Sequence, residues 1–135
     1  MTVIVTDKGF GPDDFEGGFV PLAEASAEDT AIEIAPADDP RTLVGRLGEI
    51  AAIRVTFPAF SDGRGFTHGR DLRSLGFTGR LRATGHVIAD QYAMARRSGF
   101  DEVEISDDLA QRQPEDQWLA RADWKAHDYQ ARLRG

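Results

Sequence analysis

Residues 76–106 read GFTGRLRATGHVIADQYAMARRSGFDEVEIS, and the fold turns on them. Gly76-Phe77 and Gly99-Phe100 each close a helical pattern and open a short apolar run, as though one helix–strand unit were used twice. Glycine enters the left-handed position after a helix at no steric cost, and the next residue can fold back onto the last turn. The echo sets the phase of its neighbours: strands over 80–84 and 103–106, with a helix over 87–98 between them. Upstream the same alternation predicts strands over 31–35 (AIEIA) and 53–57 (IRVTF). Helices are expected over 40–47, with Asp39 as N-cap and Pro40 in first position, and over 67–75. Gly48 is expected to end the first of them as Gly76 and Gly99 end theirs.

Short strands alternating with helices are how a parallel sheet is written. The reading is therefore a single α/β domain with four parallel strands, resembling half of a barrel. A short N-terminal β-hairpin precedes them, residues 18–22 returning against 2–6 after the turn-prone DKGFGPDD. Downstream, 107–113 reads as a polar loop. Pro114 opens a last helix with Trp118, Leu119, Ala122, Ala126, Tyr129 and Leu133 on one broad face, covered by the domain's own sheet or by a second copy. Three regions follow: 1–30, hairpin and acidic loop; 31–106, the α/β core; 107–135, C-terminal loop and helix. A half sheet has two edges, which points to a homodimer or larger homo-oligomer.

The chain has 135 residues, with 23 acidic against 16 basic side chains and a net charge of −7. The acids crowd into the first 40 residues, where Lys8 is the only base, whereas 41–106 holds ten arginines against seven acids. An acidic pI near 4.9 argues against general nucleic-acid binding. No apolar stretch approaches the ~18 residues of a membrane span, and no secretion signal opens the chain, so a cytoplasmic protein is expected. The absence of cysteine excludes disulfides and thiolate chemistry.

In parallel α/β sheets the functional crevice lies beyond the carboxyl ends of the strands. The richest segment there is FPAFSDGRGF, residues 57–66, in which Gly63 and Gly65 flank Arg64 between a strand and a helix. Such a turn can aim backbone amides and a guanidinium at an oxyanion, and it can equally be a structural turn, or a clasp in which Arg64 pairs with Asp62 or Asp90. Gly63 and Gly65 are expected at backbone conformations that a β-branched residue would not tolerate. His86 follows the third parallel strand and could work with Asp62 or Asp107 as an acid–base group. Asp38, Asp39, Asp62, Asp107 and Asp108 gather at the same ends, but their simpler use is capping, so no metal ligand is assigned. No cofactor fingerprint is present.

Across FPAFSDGRGF, Leu72-Arg73, Gly76-Phe77, Leu81-Arg82-Ala83 with Gly85, Asp90-Gln91 and Gly99-Phe100-Asp101, residues 31–106 resemble a bacterial family of unknown function. Members of that family are described as oxidoreductases of sulfite reduction. The resemblance implies an accessory role in assimilatory sulfate and sulfite reduction, beside the sulfite reductase haemoprotein. The chain departs from the family where His86 and Ser98 replace an acid and a cysteine, so no thiol can act at Ser98. The expected ligand- or anion-binding set is Ser61, Asp62, Gly63, Arg64, Gly65, Arg70, Arg73, Arg82, Asp90 and Gln91, gripping an oxyanion or a partner's acidic surface. The alternative is a small enzyme with His86 and Asp62 as acid–base pair, with or without metal assistance.

Overall fold

Alternation of apolar and charged side chains along the central strands divides one sheet into an apolar face and a charged face. The computed structural model describes residues 2–15 and 17–125. Its seven-stranded sheet comprises β1 (Thr2–Thr6), β2 (Gly9–Gly11), β3 (Val20–Pro21), β4 (Ala31–Ile34), β5 (Ala52–Phe57), β6 (Arg80–Gly85) and β7 (Glu102–Ser106), in spatial order β2-β1-β7-β6-β5-β4-β3. Strands β3 to β7 run parallel, and β1 lies antiparallel to both β7 and β2. Between the strands stand α1 (Arg64–Ser74) and α2 (Tyr92–Arg97), followed by α3 (Asp107–Arg112) and α4 (Glu115–Leu119).

The hairpin differs from expectation. Thr2–Thr6 turns at Asp7-Lys8 and pairs with Gly9–Gly11, while Val20–Pro21 joins the opposite edge beside β4, making five strands parallel rather than four. A two-residue connection closes a hairpin more readily than an eleven-residue one. Both edges now end in strands of two or three residues, a length that offers little template for another chain. The sheet edges therefore no longer call for a second copy.

Helical boundaries follow local chemistry. Asp39 caps the segment Pro40–Glu49 by accepting from the Arg41 amide at 3.0 Å, but that segment winds as a 3₁₀ helix and ends without a left-handed Gly48. The glycine echo holds in detail. Gly76 and Gly99 take φ of 105° and 104°. Phe77 N–H donates to the Leu72 carbonyl and Phe100 N–H to that of Ala95, at 3.0 and 3.1 Å, the six-to-one bond of a Schellman ending. Arg73 and Arg96 occupy equivalent places before the two glycines, and each donates to the phenylalanine carbonyl four residues on. The region 107–113 is mostly helix α3 rather than loop, because Ser106 Oγ accepts from the Leu109 amide and caps it. Pro114 does precede a helix, but α4 ends at Leu119. Trp118 is buried with its ring edge-on to Tyr92, while Leu119 is exposed. Ala126, Tyr129 and Leu133 lie outside the described residues.

The helices pack on Val5, Ile32, Ile34, Ile53, Val55, Leu81, Ala83, Val103 and Ile105. The other face carries Glu33, Arg54, Arg80, Arg82, Glu102 and Glu104, which register brings side by side. Arg82, 1% exposed, donates to Glu102 and Glu104 and makes a two-point bond to Asp13 at 2.9 and 3.0 Å. Arg54 bridges Glu33 and Glu104, and Arg80 bridges Glu102 and Asp14. Asp13 and Asp14 belong to a strap, residues 12–15 and 17–19, that crosses this face from β2 to β3.

Removing Arg82 would leave Glu102 and Glu104 buried beside each other, so Arg82→Ala should cost about 3–5 kcal/mol in denaturant unfolding at pH 7. The Arg82 hydrogen bond holds the Asp13 carboxyl below its ordinary value of 3.8. That contribution is complete above the unfolded value and lost as pH falls through the folded one, so stability should drop below about pH 4. Unfolding midpoints measured for Asp13→Asn should show a shallower decline over the same acid range.

Candidate functional site

The loop after β5 is assembled from β6 and the turn before α2. The Phe57 carbonyl accepts from the His86 amide at 2.8 Å, and His86 Nδ1 lies on the Pro58 carbonyl. A carbonyl only accepts, so Nδ1 carries the proton. Gln91 accepts from the Ile88 amide at 3.0 Å and donates through Nε2 to the Phe60 carbonyl at 2.8 Å. These bonds fix the path of 57–60 from beneath. They leave Phe60 43% exposed, its ring 5.2 Å from that of His86.

Asp62 then turns the chain into α1. Its Oδ1 accepts from the Arg64 amide and Nε, and its Oδ2 from Arg64 Nη2 at 2.8 Å. The guanidinium hydrogen bonds hold the Asp62 carboxyl down to about 2. Arg64 is therefore clasped, yet its side chain stays 61% exposed. Gly63 has φ −81° with open space about its Cα, so its expected special backbone is absent. Gly65 is required for another reason: a Cβ there would stand 2.4 Å from the Phe57 ring.

Of the residues expected at this rim, Ser61, Asp62, Gly63, Arg64, Gly65, His86 and Gln91 do meet there. Arg82 does not join them. It sits in mid-strand on the charged face, because its alternation with Leu81 and Ala83 turns it away from the helices. Arg73 lies at the opposite end of the sheet, donating to the Gly79 and Gly99 carbonyls and to Asp101 ahead of β6 and β7. Arg70, nearer that end, reaches Ser98. Asp90 pairs with Arg121 at 2.8 Å. Asp38 accepts from the Ala35 amide and Asp39 caps its helix, so both acids serve local turns. Among the described residues no group of three or more His, Asp or Glu side chains could hold a metal ion. No described helix is long and apolar enough to cross a membrane.

Two groups escaped the sequence reading. His68 is buried on α1, its Nε2 2.9 Å from the Pro36 carbonyl, tying α1 to the exit of β4. The charged sheet face also went unread, although Arg80-x-Arg82 and Glu102-x-Glu104 write it at the two-residue period of a strand.

Residues 31–135 match the model of a family described as a bacterial protein of unknown function, DUF934. No curated protein and no solved structure matches the chain.

Gly65→Ala should be destabilising by about 1–3 kcal/mol, because the added methyl overpacks against Phe57. Gly63→Ala should change stability by no more than ~0.5 kcal/mol, having nothing to strike. Equilibrium denaturation of the two variants separates a packing glycine from an ordinary turn glycine.

Proposed function

The chain belongs to the bacterial family DUF934, and from that premise we propose that it is an accessory protein of cytoplasmic sulfate and sulfite reduction. It holds a partner protein, the sulfite reductase haemoprotein, by the strand-end rim. One observation carries this reading: Phe60 is exposed with its ring 5.2 Å from that of His86, four residues before the solvent-facing Arg64, on a loop tied down by hydrogen bonds from His86 and Gln91. Aromatic and arginine side chains are enriched at protein interfaces. A surface already fixed in its bound shape loses less entropy on binding. Asp62 occupies Nε and Nη2 of Arg64, which leaves Nη1 for a carboxylate on the partner.

A protein surface suits this rim better than a small oxyanion, because the second arginine expected beside Arg64 is Arg82, buried elsewhere. Less supports the enzyme alternative: both Asp62 oxygens accept from Arg64, and among the described residues His86 Nδ1 is bonded to the Pro58 carbonyl and not to Asp62.

Tagged chain recovered from cells grown on sulfate as sole sulfur source should bring the haemoprotein with it. Phe60→Ala and Arg64→Ala should each lower its recovery by at least about tenfold, a loss of ~1.4 kcal/mol or more. His86→Ala should have a smaller effect. Recovery without the haemoprotein, or capture indifferent to both substitutions, refutes the reading.

A further inference from the structure

The strap over the charged face is attached to the sheet through its side chains. Residues 12–15 and 17–19 make no backbone–backbone hydrogen bond to the sheet among the described residues. Their attachments are side chains. Asp13 grips Arg82, Asp14 meets Arg80, and Phe19 lies under the guanidinium of Arg54 at 4.5 Å and of Arg82 at 5.5 Å. Phe15 stacks on Phe19 with ring centres 5.0 Å apart.

The strap's charges are surplus to the lattice below it. Without Asp13 and Asp14, Arg54 keeps Glu33 and Glu104, Arg80 keeps Glu102, and Arg82 keeps Glu102 and Glu104. Three arginines then stand against three glutamates, and the face stays neutral with outward N–H groups of Arg80 and Arg82 offered to solvent. The Asp14 side chain is 74% exposed. Its bond to Arg80 opens into a groove of about 320 Å³ between strap and hairpin, walled by Thr6, Lys8, Phe10 and Pro12. A competing carboxylate can therefore approach Arg80 without the hairpin moving. The family match begins at residue 31, after the strap, and includes all three arginines of the face.

We infer that the strap is an internal ligand, and that the face beneath it is a docking groove for an extended segment of a partner protein bearing two adjacent carboxylates followed by aromatic rings. Paired arginines select carboxylates at two points, and a guanidinium plane selects an aromatic ring to stack on. The strap meets both requirements and shows which chemistry the face accepts. Being tethered, it competes at high effective concentration, so a partner binds in proportion to the open fraction. This site is separate from the rim.

The test uses the full chain and a fluorescent peptide of residues 11–20, GPDDFEGGFV, titrated by anisotropy against wild type and against the strap-loosened double variant Asp13→Asn, Phe19→Ala. The loosened chain should bind the peptide at least tenfold more tightly than wild type. A control peptide with asparagine in place of both aspartates should bind neither. Phe60→Ala should leave peptide binding unchanged, which keeps this result apart from that of the rim. A folded loosened chain that ignores the peptide, or binds both peptides alike, overturns the inference. A loosened chain that sediments as a dimer the peptide does not split also overturns it, since the occupant would then be a second copy. Should the double variant fail to fold, Asp13→Asn alone decides: it should bind the peptide at least threefold more tightly than wild type, and equal binding refutes displacement.

Discussion

A parallel sheet whose strands follow one another in space as in sequence sends every crossover to the same side, because such connections are right-handed. Strands β4 to β7 obey that order, so the helices fall on one face and, among the described residues, none protects the other. In a complete barrel the second face would be the interior. Here it is open, and the protein furnishes it with charge. Arg82, nearly inaccessible and ringed by Glu102, Glu104 and Asp13, is the centre of that arrangement. Burial alone would favour its neutral form, but the surrounding carboxylates raise its pKa instead. The register of three strands and the course of the strap all serve that one guanidinium.

The N-terminal segment follows from the same constraint. It contributes β1 to the β7 edge, β3 to the β4 edge, and the strap between them, so one stretch blunts both edges and covers the open face. Its excess of acid, which in isolation looks like a solvated tail, is the counterpart of the arginine excess in the core. Asp7 extends the pattern beyond the sheet. Its carboxylate accepts from Tyr92 Oη, Arg96 and Trp124 Nε1, binding the first turn of the chain to α2 and to the segment after α4.

The arginines thus divide into two populations. One is spent within the fold: Arg73 and Arg96 close helix ends, and Arg54, Arg80 and Arg82 hold the sheet face. Arg64 is clasped by one carboxylate yet faces solvent, four residues after the exposed Phe60.

The sequence alone determined the alternation of the core. A helix that must stop needs Gly76 or Gly99, a capped start needs Asp39, and apolar runs at two-residue period must pair, all within a few residues of one another. It also located the FPAFSDGRGF rim, because a strand end, a turn and a helix start are written contiguously there. Only the tertiary structure decided where Val20–Pro21 would go, since edge pairing depends on distant strands and a two-residue strand has no period to read. It alone decided that Arg82 leaves the rim for the sheet face. Strand alternation says that Leu81 and Arg82 face opposite ways, but which side receives helices depends on strand order in space. The clustering of Asp13, Arg82, Glu102 and Glu104 joins residues about ninety positions apart, and no local pattern encodes which carboxylate will meet which guanidinium.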